Sequence, residues 1–539
     1  MRPILIIVFL SLIAFYLHSC ASVGSPEGGP KDVQPPRLTE SFPQNQALQV
    51  SGNTVRLEFD EEIKLKDLNR QLIITPNVNN TFKSKVSKNS LELEFEKPFE
   101  ANTTYFINFR DAVEDLTESN KAANLSLTFS TGSYLDSGRV SGNVRDLYTN
   151  LEQKKINVVL YALDTTTIRK HKPVYFTQTD NKGNYQIQNV KEGEYRLYAH
   201  QDRNGNMIYD NDNERIAYLP AAVKVTAQTP PVDLLTLRID TKRPLVESSN
   251  KFVEEYRMQY NEGLKAIAIS QLGTTNTPAP FVTLADKKGS TITLYPTTEN
   301  ASNRYIITAT DSANNVKTDT VNVAFEGKKA PRPGDAFSLK VQNGQLSKDT
   351  PLDLTFKVPI KLLQPVGAIT LVEDSVNSKN LNFPQDLKLN ATATVLSITT
   401  PLKAKKTVQI ILDTTKVVPV SGDRFRKQVT KLEISNKTTV GGISGKINTS
   451  YKRYWVEIIN KANEIVYVLD TPKALELDRL NPDTYSIRIK IDEDNNGIWR
   501  EGNADLTTVP EKIYHYPATI EVRVDWTIEI KEPDPTISF

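Results

Sequence analysis

The sequence has one cysteine in 539 residues, three methionines and four histidines. A single thiol cannot close an intrachain disulfide, so the folded parts must hold together by burial and backbone pairing. The histidines His18, His171, His200 and His515 are scattered. None forms an H-E-x-x-H pattern or a Cys/His metal pair, and no G-x-S-x-G nucleophile turn occurs. Gly445-Lys446 lacks the upstream glycine of a phosphate loop and is followed by Ile447. Charge of one sign is also missing: 66 basic residues face 64 acidic ones, leaving a formal charge of +2. That balance gives no electrostatic basis for nucleic-acid binding or a polybasic membrane face. After the first twenty residues, no apolar run approaches the ~18 residues of a spanning helix. Catalysis finds no constellation here, and the expectation is a protein that is not an enzyme.

What the sequence has is strand chemistry. Tyrosine (21) and phenylalanine (19) far outnumber methionine, and Val, Ile and Thr recur throughout. Hydrophobic residues make up 38% and charged residues 24%, the balance of globular domains. Thr54-Val55-Arg56-Leu57-Glu58-Phe59 alternates apolar and polar, as does Leu91-Glu92-Leu93-Glu94-Phe95. Each presents one core face and one solvated face. The length points to about three to five domains.

The N-terminal stretch differs. Met1-Arg2 is followed by an apolar run from Ile4 to Leu17, broken only by Ser11, and then by His18-Ser19-Cys20. A charged start and a short apolar run have the form of a secretory signal. The Leu-x-x-Cys ending at the sole cysteine resembles a bacterial lipobox. That resemblance implies acylation of Cys20, including palmitate, and removal of residues 1–19. Several acyl chains at ~0.8 kcal/mol per buried CH₂ would hold the mature protein on a membrane. Residues 20–36, rich in Gly and Pro, read as a flexible spacer.

The body divides by its turn signals. Residues 37–132 carry Phe42-Pro43, Leu57-Glu58-Phe59-Asp60-Glu61-Glu62-Ile63, Asn102-Thr103-Thr104-Tyr105-Phe106-Ile107 and Leu127-Thr128-Phe129-Ser130-Thr131. This series resembles the bacterial Ig-like domain of surface-layer and Bacteroidetes envelope proteins, which implies a non-catalytic β-sandwich. Residues 133–240 contain Gly138-Arg139-Val140-Ser141-Gly142, Asp180-Asn181-Lys182-Gly183-Asn184-Tyr185 and Gly193-Glu194-Tyr195. They are similar to transthyretin-like, carboxypeptidase-regulatory sandwiches. This unit returns at 438–530, where Gly442-Ile443-Ser444-Gly445 and Asp483-Thr484-Tyr485 echo it. Tyr195 to Asp202 and Tyr485 to Asp492 span the same seven residues (202 − 195 = 492 − 485), the mark of a duplication. Residues 241–330 read as a further β-sandwich, with a short helix between Val253 and Leu272 as an alternative. Residues 331–437 echo the Leu57–Lys64 stretch and read as a second Ig-like sandwich. The tail, 531–539, is Pro-rich, and its Ile537-Ser538-Phe539 end is suited to docking on a partner. The fold expected is all-β: tandem β-sandwich domains of Ig-like and transthyretin-like kind.

An acidic, Asn-rich loop follows each duplicated strand. Asp202, Asn204, Asn206 and Asp210 mark the first; Asp492, Asp494 and Asn496, followed by Gly497, mark the second. Oxygens at positions 1, 3 and 5 of a tight loop can converge on calcium, which takes about six to eight of them. The same residue types also build plain turns. Calcium and a polar hairpin are the two readings, and no cofactor is required by either. His200, just before the first loop, reads as a surface residue at a strand end. Trp499 and Tyr209, in matching places, read as plugs of their own sandwiches. Asp-Thr/Ser triplets such as Asp413-Thr414-Thr415 resemble the O-glycosylation motif of Bacteroidetes exported proteins.

Taken with its lipobox, the chain resembles Ig-like-domain lipoproteins of the Bacteroidetes envelope. The resemblance implies a protein anchored by lipid in the outer membrane, on its periplasmic or surface leaflet. The expected role is an accessory or scaffold subunit of an outer-membrane β-barrel complex for assembly, secretion or uptake. The other reading is a glycan-binding or glycan-processing surface lipoprotein.

Overall fold

A computed structural model describes residues 32–539, apart from 165, 212, 274–278, 332–334, 342–344, 348–350, 436–437 and 531–535. The predicted signal peptide, Cys20 and most of the spacer lie outside the described residues. The chain is almost wholly β; the one helix among the described residues is the single turn Leu68–Gln71. No helix there is long and apolar enough to cross a membrane. Two compact units divide the chain: one holds residues up to 144 with 152–210 and 221–234, the other the remainder.

In the first unit, alternation becomes a sandwich. Leu38–Phe42, Thr54–Phe59, Ser90–Phe95 and Phe82–Ser87 lie side by side in one sheet, and Ile73–Thr75, Thr104–Asn108 and Ser126–Ser130 in the other. Val55, Leu57 and Phe59 face Leu91, Leu93 and Phe95 inside, while Arg56 and Glu92 pair outside. The centre is an aromatic stack in which Phe99 meets Phe95, Tyr105 and Phe129 at 5.0–5.2 Å between ring centroids. Such contacts add ~1 kcal/mol each beyond the area they bury.

The next sandwich pairs Gly138–Asp146 with Asn184–Val190, and Asn157–Ala162 with both Tyr175–Gln178 and Gly193–His200. A Cβ on Gly142 would lie 2.0 Å from the Val232 carbonyl oxygen, so only glycine fits that crossing.

The second unit holds three further layered arrangements. Tyr256–Tyr260 and Leu264–Gln271 are strands, not helix, in a sandwich closed by Tyr305 and Met258. In the next, Leu352–Phe356 is followed by Ile360–Leu362 pairing Val417–Pro419, as Thr54–Phe59 is followed by Ile63–Leu65 pairing Val113–Asp115. The spacing is equal in both (360 − 356 = 63 − 59), so the echo seen in sequence is one of structure.

The last arrangement repeats the duplicated sandwich in register. Gly138↔Val190 shifts to Val140↔Ile187 through a bulge, and Gly441↔Leu480 shifts to Ile443↔Leu477 through the same one. The Tyr195 hydroxyl donates to the Lys191 carbonyl at 2.9 Å, and that of Tyr485 to Asn481 at 2.8 Å. Both hydroxyls tie down the turn four residues upstream, which is what the Gly-x-Tyr and Asp-x-Tyr signals encode. The C-terminal end does not wait for a partner. Thr536–Ser538 pairs in parallel with Gly441–Asn448, and Ile537 is fully buried, because Thr527–Glu529 covers that strand's second edge only as far as Ser444.

Candidate metal centre

The duplicated strands Gly193–His200 and Asp483–Ile491 each deliver their acidic loop at one end of a sandwich. The two loops fold alike. In the second, the Gly497 N–H donates to Asp492 at 2.8 Å, Ile498 to Asn496 at 2.8 Å and Asn496 to Asp494 at 3.1 Å. In the first, Met207 donates to Asp202 at 2.9 Å, Ile208 to Asn206 at 2.8 Å and Asn206 to Asn204 at 3.1 Å. Position 6 sits at φ +90° in Gly497 and at φ +63° in Met207. A side chain there is strained by ~1 kcal/mol, and the hydrogen bond to the first carboxylate offsets it.

The loops differ in what meets them. Asp492, Asp494 and Glu511 bring three carboxylate oxygens within 4.8 Å of one another. Glu511 and Asp492 are buried and Asp494 is exposed. Glu511 accepts N–H bonds from Glu493 (2.8 Å), Asp494 (3.3 Å) and Arg500 (2.8 Å). Desolvation works against the Asp494 charge. The Asn496 N–H and the Arg500 guanidinium, 2.8 Å away, outweigh it and hold the carboxyl below its ordinary range. The donor set, three carboxylates and an Asn carboxamide on a glycine-turned loop, is the chemistry of a hard cation site.

In the first loop Asn204 and Asn206 turn their amide nitrogens toward Asp210, at 3.3 and 2.7 Å. Asp202 accepts from Gly205 and Met207. These carboxylates are spent on donors of their own loop. Glu214 stands two residues before Ile216 as Glu511 stands two before Ile513, and both are fully buried.

His200 is fully buried, not a surface residue, and neither ring nitrogen has a hydrogen-bond partner among the described residues. Burial pushes its pKa down to about 4, against the opposite pull of Asp202 and Asp210. His171 accepts the Thr167 N–H at 3.0 Å, and Nε2 of His515 meets the Leu147 carbonyl at 2.9 Å. Among the described residues, His171 and His515 thus each have a hydrogen-bonded place.

The aromatic pair also divides. Tyr209 is buried as expected. Trp499 instead lies edge-on to Tyr148 at 5.8 Å, with the Lys490 ammonium 4.9 Å from its ring. The Tyr148 hydroxyl donates to Glu501, whose carboxyl is pushed up by burial. The triplet Asp413-Thr414-Thr415 is turn chemistry, since Asp413 accepts both the N–H and the hydroxyl of Thr415. A second acid trio, Asp240, Glu262 and Asp311, went unread in the sequence. Burial and the two neighbouring charges push the Glu262 carboxyl up.

The fold thus defines an almost wholly β chain of successive β-sandwiches. Residues 32–131 match the family described as bacterial Ig-like domain, and 153–209 match domain II of polysaccharide lyase family 4, an fn3-like module. No curated protein matches the chain. Among solved structures it is similar to the S-layer protein rSbsC, at 8% identity over 86% of this chain and 64% of that one, with a TM-score of 0.15. It is also similar to Sidekick-1 immunoglobulin domains 1–4, at 10% identity over 67% and 92%, TM-score 0.18. A Bacteroides ovatus SGBP-B, solved with a mixed-linkage heptasaccharide, matches at 10% identity over 72% and 96%, TM-score 0.17. The chain spans about two thirds of the S-layer structure's length, and none of these likenesses bears on function.

Proposed function

We propose that the chain is a non-catalytic outer-membrane lipoprotein, tethered through Cys20, that serves as an accessory subunit of a β-barrel complex. The observation that carries this reading is the Leu17-His18-Ser19-Cys20 sequence at the sole cysteine, ahead of sandwiches in tandem. A tether confines the body to the membrane surface and raises its effective concentration near a membrane partner, so a modest interface suffices. Crosslinking in solubilised membranes followed by affinity purification and mass spectrometry tests it. Stoichiometric recovery of a barrel protein is expected; a monomer that binds or cleaves envelope glycan overturns it. The Cys20→Ala chain is expected to remain unprocessed and to lose incorporation of labelled palmitate entirely. Unchanged labelling would remove the anchor.

Calcium belongs in this proposal at the second loop, where Asp492, Asp494, Asn496 and Glu511 would hold it and where it would offset the mutual repulsion of the carboxylates. Its role there is structural. A ligand that binds only the folded state at a hundredfold excess over Kd stabilises by ~3 kcal/mol. Millimolar calcium is therefore expected to raise the unfolding midpoint of the C-terminal sandwich by several degrees over EDTA, with magnesium doing less. Equal midpoints would leave the polar turn as the whole explanation.

A further inference from the structure

The strand Ile465–Asp470 lies at the edge of its sheet and, among the described residues, pairs only with Tyr454–Ile459. Four residues in succession are exposed there: Ile465 (47%), Val466 (40%), Tyr467 (38%) and Val468 (56%). Natural edge strands are blunted by lysine, proline or inward-pointing charge. Between Glu464 and Asp470 this one has none of them.

The duplication shows what such an edge can be used for. Asn157 pairs with Gln178 and Leu160 with Tyr175, as Trp455 pairs with Asp470 and Ile458 with Tyr467. Tyr175–Gln178 is therefore the counterpart of the exposed edge, with Val174 in the place of Val466. In the first copy that edge is covered by the Ig-like sandwich of the same chain. The Asn77 N–H donates to the Val174 carbonyl at 2.7 Å, and Arg110 donates to Gln178 at 2.7 Å. Tyr175 is buried, at 5% exposure, with its ring edge-on to Tyr195 and its hydroxyl accepting the Lys191 N–H, where Tyr467 is open. At the position of Gln178 the second copy has a carboxylate, Asp470, which accepts the Thr471 hydroxyl at 2.8 Å and lies 3.9 Å from Arg453.

We propose that Ile465–Asp470 is a docking edge for an extended, β-branched strand of a partner protein, uncharged along its length except for an arginine that meets Asp470. Main-chain pairing supplies affinity in this mode, and the side chains supply selection. The arginine follows from the first copy: an occupant that brings Arg110 to a neutral amide there would gain a charge-assisted pair at a carboxylate here. A second copy of the chain suits the edge less well. Two-fold pairing about Tyr467 would set Glu464 against Asp470 of the other copy, like charge facing like. The chain's own Arg110 is already engaged. The inference rests on the docking-subunit reading only in naming where a partner would sit.

The test uses the full chain and a synthetic peptide of alternating valine and threonine carrying one terminal arginine, followed by amide hydrogen exchange and fluorescence anisotropy. Saturable binding is expected, with exchange across Ile465–Asp470 slowed about tenfold. A peptide with glutamate for arginine is expected to bind about tenfold more weakly, and the Asp470→Arg chain to reverse that order. Asp470 is exposed, so the variant should melt with the parent, which separates a lost edge from a lost fold. Absence of protection at Ile465–Asp470, or no reversal in the variant, overturns the proposal. So does protection that grows with the chain's own concentration without peptide, which would make a second copy the occupant. The outcome does not depend on recovery of a barrel protein, so failure of one reading is distinguishable from failure of the other.

Discussion

Replacing Glu511 by alanine is expected to destabilise the C-terminal sandwich by ~3 kcal/mol, among the largest effects of any single substitution outside a hydrophobic core. The carboxylate is fully buried and takes three backbone N–H bonds, from Glu493, Asp494 and Arg500. Its removal orphans those donors, each at a cost of ~1–3 kcal/mol when water cannot replace the acceptor. The loop beside it is exposed, so water recovers part of the loss. Glu511→Gln keeps one acceptor oxygen and turns an NH₂ toward the other donors, so about half the effect is expected. All three tryptophans, Trp455, Trp499 and Trp526, lie in this sandwich. Intrinsic fluorescence during denaturation therefore reports its unfolding in a chain whose other domains need not unfold with it. An unchanged fluorescence midpoint would show that the buried carboxylate is dispensable. In the calcium reading, the alanine variant also loses the difference between calcium and EDTA.

The second large effect is one of pH. His200 has a folded pKa of about 4, against about 6.5 for an unperturbed histidine. Above the unfolded value the ring is neutral in both states and contributes nothing. As pH falls through that window, the unfolded chain takes up a proton that the buried ring refuses, so stability is lost progressively and fully below about 4. The gap corresponds to ~3 kcal/mol. His200→Phe fills the same apolar site without a titrating group. Compared with it, the parent is expected to lose that ~3 kcal/mol between neutral and acid pH, read from native-state hydrogen exchange of Gly193–His200. Carboxylates elsewhere titrate in both proteins and cancel in the difference. Parallel profiles would mean that the ring is hydrated in the folded state.

How much of this was legible depended on the range of the interaction. Alternation is a local property, and a half-buried strand needs nothing more. Val55-Arg56-Leu57-Glu58-Phe59 therefore announced both its strand and its inward face. Turn residues and glycines act within a few positions, so the Gly138–Gly142 and Gly441–Gly445 segments revealed the repeated unit. The matched bulges and the tyrosine ties at Lys191 and Asn481 then turned out to be its content. The loop heads at Asp202 and Asp492 were legible for the same reason, since each closes on donors within five residues.

Tertiary structure alone decided what met those heads. Glu511 lies seventeen residues beyond Asp494 and reads, in sequence, like any surface glutamate. Only the return of Ile513–His515 beside Asp483–Ile491 carries it inward. The burial of His200, the meeting of Trp499 with Tyr148, and the trio Asp240, Glu262 and Asp311 depend in the same way on segments far apart in the chain. The two edges Tyr175–Gln178 and Ile465–Asp470 make the same point, for in sequence they are two short apolar strands. Covering an edge is a property of whatever packs beside it, so nothing in the strand itself records that one is closed and the other open.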